Sequence, residues 1–573
     1  LGHTERPRRS WLGKIRLRRQ RPENRNTQKP LTRKARSKSS SVTADHGPVE
    51  ITTLKDFERY WNGLDDDTCL EHSGQPPQRD YVALLKRLSV RGDTQIIGSK
   101  EHPEVVHPVV KLLHERRRVQ MRKKHHPSEE VLDETETNNV NDASIATDSL
   151  PEKDRATKAL NDDGNKVALV VEGGGMRGCV SAGMVCALHH LGLQDTIDVV
   201  YGASAGAVVA AYFVSQQVPW FGPEVYYDQL TTAGDKFIDL KRLLRSLGFG
   251  LVDPRLLKDV LTRPENGKPL LNLNYLVDQT MQEAKPLDFE TFKARQAVQP
   301  LKVVATGLTN GEPVVLSQES GHLDTLEDLC SSLRASCLLP GIAGPVMNAL
   351  KDMDNENEKP KFVLRNNYQS HCSDGEAYEP LGDAMLSSPI PYDIALKDGA
   401  THVVVIRSSP DGENLMAGTA AKSMWESLIF RRFFLRKNRL PKIFKMVQLE
   451  QRHQKTYASS ILELNEAAKA ATARSSNGPH IMTIALEPGS VEVSHLETTR
   501  EAIFEGVRQG FARAYDTLVQ EPALRGQGYE VARVYFPDEI LDYDPQDIAS
   551  SSREEEKYMS AFESYLQILE TKR

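Results

Sequence analysis

The chain reads as an α/β protein built on a doubly wound, mainly parallel sheet, and three observations carry that expectation. Between residues 165 and 410 short apolar runs alternate with helical patterns, the order in which helices cross over between parallel strands. Two of those runs, Lys166–Val171 and Ile197–Tyr201, each end in a glycine-containing turn that opens a helix-like segment. A third, Thr401-His402-Val403-Val404-Val405-Ile406, has the unbroken apolar character of a buried strand.

The parts ahead of this core differ in composition. Residues 1–40 hold fourteen lysines and arginines against two acidic residues. The stretch 1–50 therefore reads as a basic, disordered arm. Its Arg-rich, acid-poor and partly Ser-rich makeup suits an organellar transit segment, a binding arm for anionic lipid, or an untargeted tail. The chain begins with Leu1, which leaves the true N-terminus and the compartment open. Over 51–127 short helical patterns predict a small helical region, its clearest face being Val105, Val106, Val109, Val110, Leu112 and Leu113. Residues 128–164 are acid-rich and poor in apolar side chains, the composition of a solvated linker.

The first core run leads into Glu172-Gly173-Gly174-Gly175-Met176-Arg177-Gly178. Successive glycines let backbone N–H groups converge, and the following helix N-terminus adds positive potential, so this segment suits a negative oxygen, of a phosphate or of an oxyanion. The second run leads into Tyr201-Gly202-Ala203-Ser204-Ala205-Gly206 and the helix-like Ala207–Phe213. Strand, Gly-x-Ser-x-Gly and helix in that order describe a nucleophile elbow. The turn is tight enough to want glycine at Gly202 and Gly206, and it pushes the Ser204 oxygen out at the sheet edge. A competing reading exists, because Gly173-x-Gly175-x-x-Gly178 satisfies the dinucleotide fingerprint and Asp198 falls twenty residues further on. In that fold the ribose-binding acid sits at the carboxyl end of its strand, whereas Asp195 and Asp198 precede the apolar core of theirs. One site is the economical account of two glycine turns at one sheet edge: the loop stabilises the charge created when Ser204 attacks an acyl carbon.

With these residues the chain resembles the patatin-like phospholipase family. Gly173-Gly174-Gly175-Met176-Arg177-Gly178 match its oxyanion loop, Gly202-Ala203-Ser204-Ala205-Gly206 match its elbow, and the likeness covers about 165–410. The resemblance implies a catalytic domain of patatin type over that range. It also implies hydrolysis of lipid carboxylic esters through a Ser-Asp dyad with no histidine, no cofactor and no metal. Arg177 then either supports the loop or attracts an anionic head group. Three stretches offer the aspartate. Asp398-Gly399-Ala400 fits the family's tripeptide and Asp374-Gly375 half fits it, but Asp398 runs straight into the strand at Thr401–Ile406. The stretch Leu381-Gly382-Asp383-Ala384-Met385-Leu386-Ser387-Ser388-Pro389-Ile390-Pro391 keeps the family's order of aspartate, small residue, apolar pair, polar pair and prolines. Asp383 is the expected base, with Ala384 where the family usually has glycine.

The remaining elements follow in order. Leu301–Thr306 and Pro313–Leu316, separated by Asn310-Gly311, predict two strands joined by a turn. Ser336-Cys337-Leu338-Leu339-Pro340-Gly341 matches a Ser-x-x-x-Pro segment of related proteins. The polar stretch 352–379 reads as an exposed insertion, either a lid edge or a solvated loop. Residues 411–573 form a helix-rich extension containing one strand-like run at His480–Leu486 and an apolar helical face at Ile503, Phe504, Val507, Phe511, Tyr515 and Leu518. Trp425–Met446 mixes aromatic and basic residues, Arg431, Arg432, Arg436 and Lys437 among them. That composition suits either an interfacial helix on anionic lipid or a helix packed on the core with snorkelling cations.

Composition bounds the function. A chain of 573 residues with 27% charged and 39% hydrophobic residues has enough material for a full core plus accessory parts. Six cysteines without Cys-x-x-Cys spacing point to free thiols and an intracellular setting. No apolar run approaches the length of a membrane span, so membrane contact is expected to be peripheral. The basic arm has no accompanying recognition fold for nucleic acid. Three function classes remain: a dyad acyl hydrolase on lipid esters; a serine esterase using a histidine, with His402, His453, His480 or His495 available; and a catalytically silent lipid-binding protein.

Overall fold

The computed structural model describes residues 49–67, 88–94, 106–125, 161, 163–239, 269, 271–339, 343, 347–350, 363–364, 378–416, 441–472 and 478–542, all within a unit that starts at Pro48. Strand β1 (Val49–Ile51) is followed by helix α1 (Leu54–Asp67) and strand β2 (Leu88–Val90), which pairs in parallel with β1. Helix α2 (Pro108–His125) starts on a proline, whose missing N–H is no loss at that position. His107 Nδ1 accepts from the Val109 amide, so one of the orphan first-turn donors is satisfied.

The core proper begins with β3 (Val167–Val171), α3 (Gly178–His190), β4 (Val199–Ala203) and α4 (Ala205–Val214). After two segments of π-helix at Val225–Leu230 and Tyr275–Ala284 comes α5 (Phe289–Arg295), capped by the Asp288 side chain on the Thr291 amide. Next come the antiparallel pair β5 (Leu301–Gly307) and β6 (Glu312–Leu316), then α6 (Leu326–Ser336), capped by Thr325 on the Asp328 amide. Short strands β7 (Met347–Leu350), β8 (Val363–Leu364) and β9 (Tyr378–Gly382) precede α7 (Tyr392–Lys397) and β10 (His402–Ile406). The long helix α8 (Pro441–Thr472), β11 (His480–Ile484), α9 (Arg500–Leu518) and α10 (Gly528–Tyr535) complete the order.

Nine of these strands form one sheet among the described residues. β11, β10, β3, β4 and β5 lie side by side in parallel, and β6, β7, β8 and β9 are antiparallel additions. This is the doubly wound, mainly parallel α/β fold. Side chains alternate cleanly between its faces: Val167, Leu169 and Val171 of β3 point to the same side as α3, α4 and α9, while Ala168 and Val170 meet Ile394 of α7 and Ile461 and Leu464 of α8. Each fully buried valine or isoleucine contributes about 1.5–3 kcal/mol of transfer free energy.

Three sequence expectations need correction. Residues 51–127 are not helical alone, since β1 and β2 form a parallel pair whose core includes Ile51, Phe57, Leu88 and Val90; strands of three residues are too short for an alternation to be read. The acidic stretch 128–164 is not solvated at its end, because Arg116 of α2, 1% exposed, donates to Asp163, to Asp198 and to the carbonyls of Asn161, Asn165 and Thr196. Composition cannot reveal a buried arginine that collects such acids. The sheet also runs past residue 410, since β11 pairs with β10 from His402↔His480 to Ile406↔Ile484. The arm at 1–48, most of the insertion at 352–379 and residues 425–440 lie outside the described residues.

On one face of the sheet α3 and α9 cross without an intervening layer of side chains. A Cβ on Gly183 would lie 1.9 Å from the Val507 carbonyl oxygen, and one on Gly510 would lie 2.0 Å from that of Val180. Backbone blocks both positions, so neither can yield by a rotamer change. Gly510→Ala is accordingly expected to lower unfolding stability by about 1–3 kcal/mol through overpacking; an unshifted denaturation midpoint would contradict this crossing.

Candidate active site

The elbow forms where β4 stops. Ser204 has φ 51° and ψ −126°, a region that L-residues avoid at a cost of order 1–3 kcal/mol. The chain reverses at once into α4. A Cβ on Gly202 would stand 2.4 Å from Ala207 Cα, and one on Gly206 would stand 2.4 Å from the Val171 carbonyl oxygen, so the turn closes only with glycine at both positions. Ser204 is 9% exposed and its Oγ donates to Asp383 Oδ2 at 3.0 Å. Its place at the N-terminus of α4 favours negative charge on that oxygen.

Asp383 reaches Ser204 through the pairing of β5. One edge of β5 is occupied by β6 along Val303–Gly307. The other edge is shared: β4 uses Leu301–Val304, and β9 enters antiparallel beyond it at Thr306 and Gly307. The residue after β9 and the residue after β4 therefore meet, although 179 positions separate them. Asp383 is then fixed on every side. Its N–H donates to the Leu338 carbonyl at 2.7 Å, its C=O accepts from Thr306 Oγ1 at 2.8 Å, and its Oδ1 accepts from the Met385 N–H at 2.9 Å. Burial pushes the carboxyl up to about 7, against the opposing hydrogen bonds from Met385 and Ser204.

The glycine loop lies against this pair, with a Cβ on Gly173 falling 2.9 Å from Ser204 Cβ. Of its six amides, four have acceptors: Gly173 donates to the Pro389 carbonyl, Met176 to His495, Arg177 to Gly174, and Gly178 to Gly175 and Met176. Of the Gly173–Gly178 amides expected at an oxyanion, those of Gly174 and Gly175 have no acceptor among the described residues. The loop is strapped from outside. His495 Nδ1 bonds the Gly174 carbonyl at 2.8 Å, and Arg177 donates from Nε to the Val493 carbonyl and from Nη1 to Ser409 Oγ, with Glu492 paired at Nη2. At the loop's base the buried Glu172 carboxylate accepts from the Ser408 amide and the Tyr457 hydroxyl.

The competing residues lie elsewhere. Asp398 accepts from Tyr201 Oη at 2.7 Å and Lys302 Nζ at 2.9 Å, beside β10's entry. Partial burial raises its carboxyl, but these donors hold it below the usual range. Asp374 is outside the described residues. Asp198 is occupied by the Val167 amide and Arg116, which removes the acid a dinucleotide ribose would need. His402 and His480 pair across the amino ends of β10 and β11 with ring centroids 5.0 Å apart, and His453 lies on α8 near Tyr457. Among the described residues no histidine bonds to Ser204 or Asp383. Cys179, Cys186, Cys330 and Cys337 are buried free thiols. Thr306, Leu338 and the strap at 492–495 were not legible in sequence, since they act through single hydroxyls or carbonyls that no spacing advertises.

A strand–serine–helix elbow on a parallel sheet, backed by a glycine loop, is the architecture of an α/β acyl hydrolase. Residues 169–396 match the patatin-like phospholipase family, so this segment of the chain is a patatin-like domain. The match spans both Ser204 and Asp383 and stops before Asp398. No curated protein matches the chain. Similar solved structures include VipD from Legionella pneumophila, 14% identical over 71% of this chain and 80% of that one, with a TM-score of 0.28. Human GIVD cytosolic phospholipase A2, solved in complex with methyl gamma-linolenyl fluorophosphonate, is 13% identical over 76% of this chain and 64% of its own, with a TM-score of 0.31. ExoU from Pseudomonas aeruginosa, in complex with SpcU, is 15% identical over 71% and 78%, with a TM-score of 0.18.

The placement of Asp398 yields a prediction. Asp398→Asn is expected to retain ester hydrolysis and to cost under about 1 kcal/mol, the usual worth of a partly exposed ion pair. Loss of turnover in this variant with its fold intact would reassign the base.

Proposed function

We propose that the chain hydrolyses carboxylic ester bonds of phospholipids or related lipids through Ser204 and Asp383, by way of an acyl-enzyme. The supporting observation is the 3.0 Å hydrogen bond between Ser204 Oγ and Asp383 Oδ2 in a buried setting, beside two unclaimed loop amides. Ionised Asp383 takes the proton as Ser204 Oγ attacks the ester carbonyl carbon. The Gly174 and Gly175 amides receive the tetrahedral oxyanion. Asp383 then returns its proton to the departing alcohol oxygen, and water, deprotonated in turn by Asp383, releases the fatty acid and regenerates the serine. A carboxyl raised to about 7 is matched to base work near neutral pH, so no histidine is needed to bridge acid and hydroxyl.

Fatty-acid release from mixed lipid vesicles, resolved by mass spectrometry, tests the reading. Ser204→Ala and Asp383→Asn are each expected to lower kcat at least about 10³-fold, while His402→Ala, His453→Ala and His480→Ala remain active. Dependence on one of these histidines would select a triad, and stable phosphonate labelling of Ser204 without turnover of any lipid would select a silent lipid binder. In the wild type, kcat/KM should rise with pH through a midpoint near 7 as Asp383 ionises.

The same carboxyl affects stability with a defined sign. Its folded value lies above the ordinary 3.8, so between roughly pH 4 and 7 the folded state binds the proton more tightly, and wild-type stability falls as pH rises through that window. Asp383→Asn should therefore be more stable than wild type at pH 8, by on the order of a few kcal/mol, with the advantage shrinking toward pH 4. Equal stabilities at pH 8 would contradict a raised Asp383.

A further inference from the structure

The segment that closes α6 touches both members of the proposed dyad. Ser336 is fully buried, and its Oγ accepts from the Ser204 N–H at 2.8 Å while donating to the Val304 carbonyl of β5 at 2.5 Å. Two residues on, the Leu338 carbonyl accepts from the Asp383 N–H at 2.7 Å. Among the described residues the Ser204 N–H has no acceptor other than Ser336 Oγ, so without Ser336 this donor would be buried and unpaired beside a strained residue. One hydroxyl thus uses its donor on the neighbouring strand and its acceptor on the elbow, and three consecutive residues hold the backbones of both reacting groups to the same sheet edge.

We infer that Ser336 is a positioning residue for ester hydrolysis, and that Ser336–Leu338 acts as a spacer setting the Ser204–Asp383 distance. The inference rests on the dyad reading above. Ser336 touches no reacting atom. It acts by holding the Ser204 main chain in the conformation that aims Oγ at Asp383 Oδ2, and a displacement of order 1 Å at such a contact can cost about 100-fold in rate.

The test compares the full chain as wild type, Ser336→Ala, Ser336→Thr and Ser336→Cys, using fatty-acid release from phosphatidylcholine vesicles and the rate at which a fluorophosphonate labels Ser204. Ser336→Ala is expected to lose about 10–100-fold in kcat with KM within about twofold. It should label Ser204 more slowly and keep the acid-limb midpoint of wild type, since Asp383 retains its surroundings. Ser336→Thr, which keeps the oxygen, should recover most of the rate. If Ser336→Ala does not fold, the other pair decides: Thr near wild type with Cys at least about fivefold slower supports the spacer, because a thiol is the weaker acceptor, and equal rates in the two overturn it. Unchanged kcat in folded Ser336→Ala also overturns it, as does a shifted acid limb, which would mean that the carboxyl site itself had been rebuilt. A wild type that neither hydrolyses ester nor takes the label sinks the dyad reading and this role with it, whereas an active wild type alongside an equally active Ser336→Ala sinks this role alone.

Discussion

The edge that β5 turns toward β4 is too long for β4, and the site depends on what fills the remainder. β4 ends at Ala203 because the chain must reverse into α4, leaving Thr306 and Gly307 of β5 without a neighbour on that side until β9 pairs there. Main-chain hydrogen bonds on one strand thus decide that two residues far apart in the chain come together. The side chains contribute the chemistry, but the meeting itself is a property of the sheet.

Around that junction the backbone is bound more tightly than the reacting groups. Leu338, Thr306, Leu386 and Met385 account for the main-chain and Oδ1 contacts of Asp383, leaving Oδ2 to Ser204. Gly178, Met176 and Arg177 spend their amides inside the loop or on His495, leaving Gly174 and Gly175. The consistent pattern is saturation except at the atoms to which the proposed reaction assigns a role. Preorganisation of this kind removes the reorganisation cost that free water dipoles would impose.

How much was visible in the amino-acid order divides along physical lines. Parallel strands covered on both faces are continuous apolar runs, so β3, β4, β10 and β11 stand out. The elbow stands out because a sterically tight turn needs glycine at Gly202 and Gly206. Asp383 has no such mark: Asp-Ala is an unremarkable pair, and only family resemblance pointed to it. Strands of two or three residues such as β1, β2 and β8, and the mixed polar run of β9, carry too little pattern to read, and their pairing is a long-range choice that composition does not encode. Arg116, a charged residue at the centre of a buried network, runs against the ordinary placement of arginine and is legible only once its acids have been brought to it.

The residues that strap the glycine loop and the strand that covers β10 both come from beyond the stretch matched to the family, at 480–495. A shortened polypeptide ending soon after Ile406 would bare the backbone of a valine-rich strand along one whole side, an invitation to intermolecular pairing, and would in the same stroke release the loop from His495. Cover for the open side of β10 and the hold on the glycine loop are thereby drawn from one C-terminal stretch.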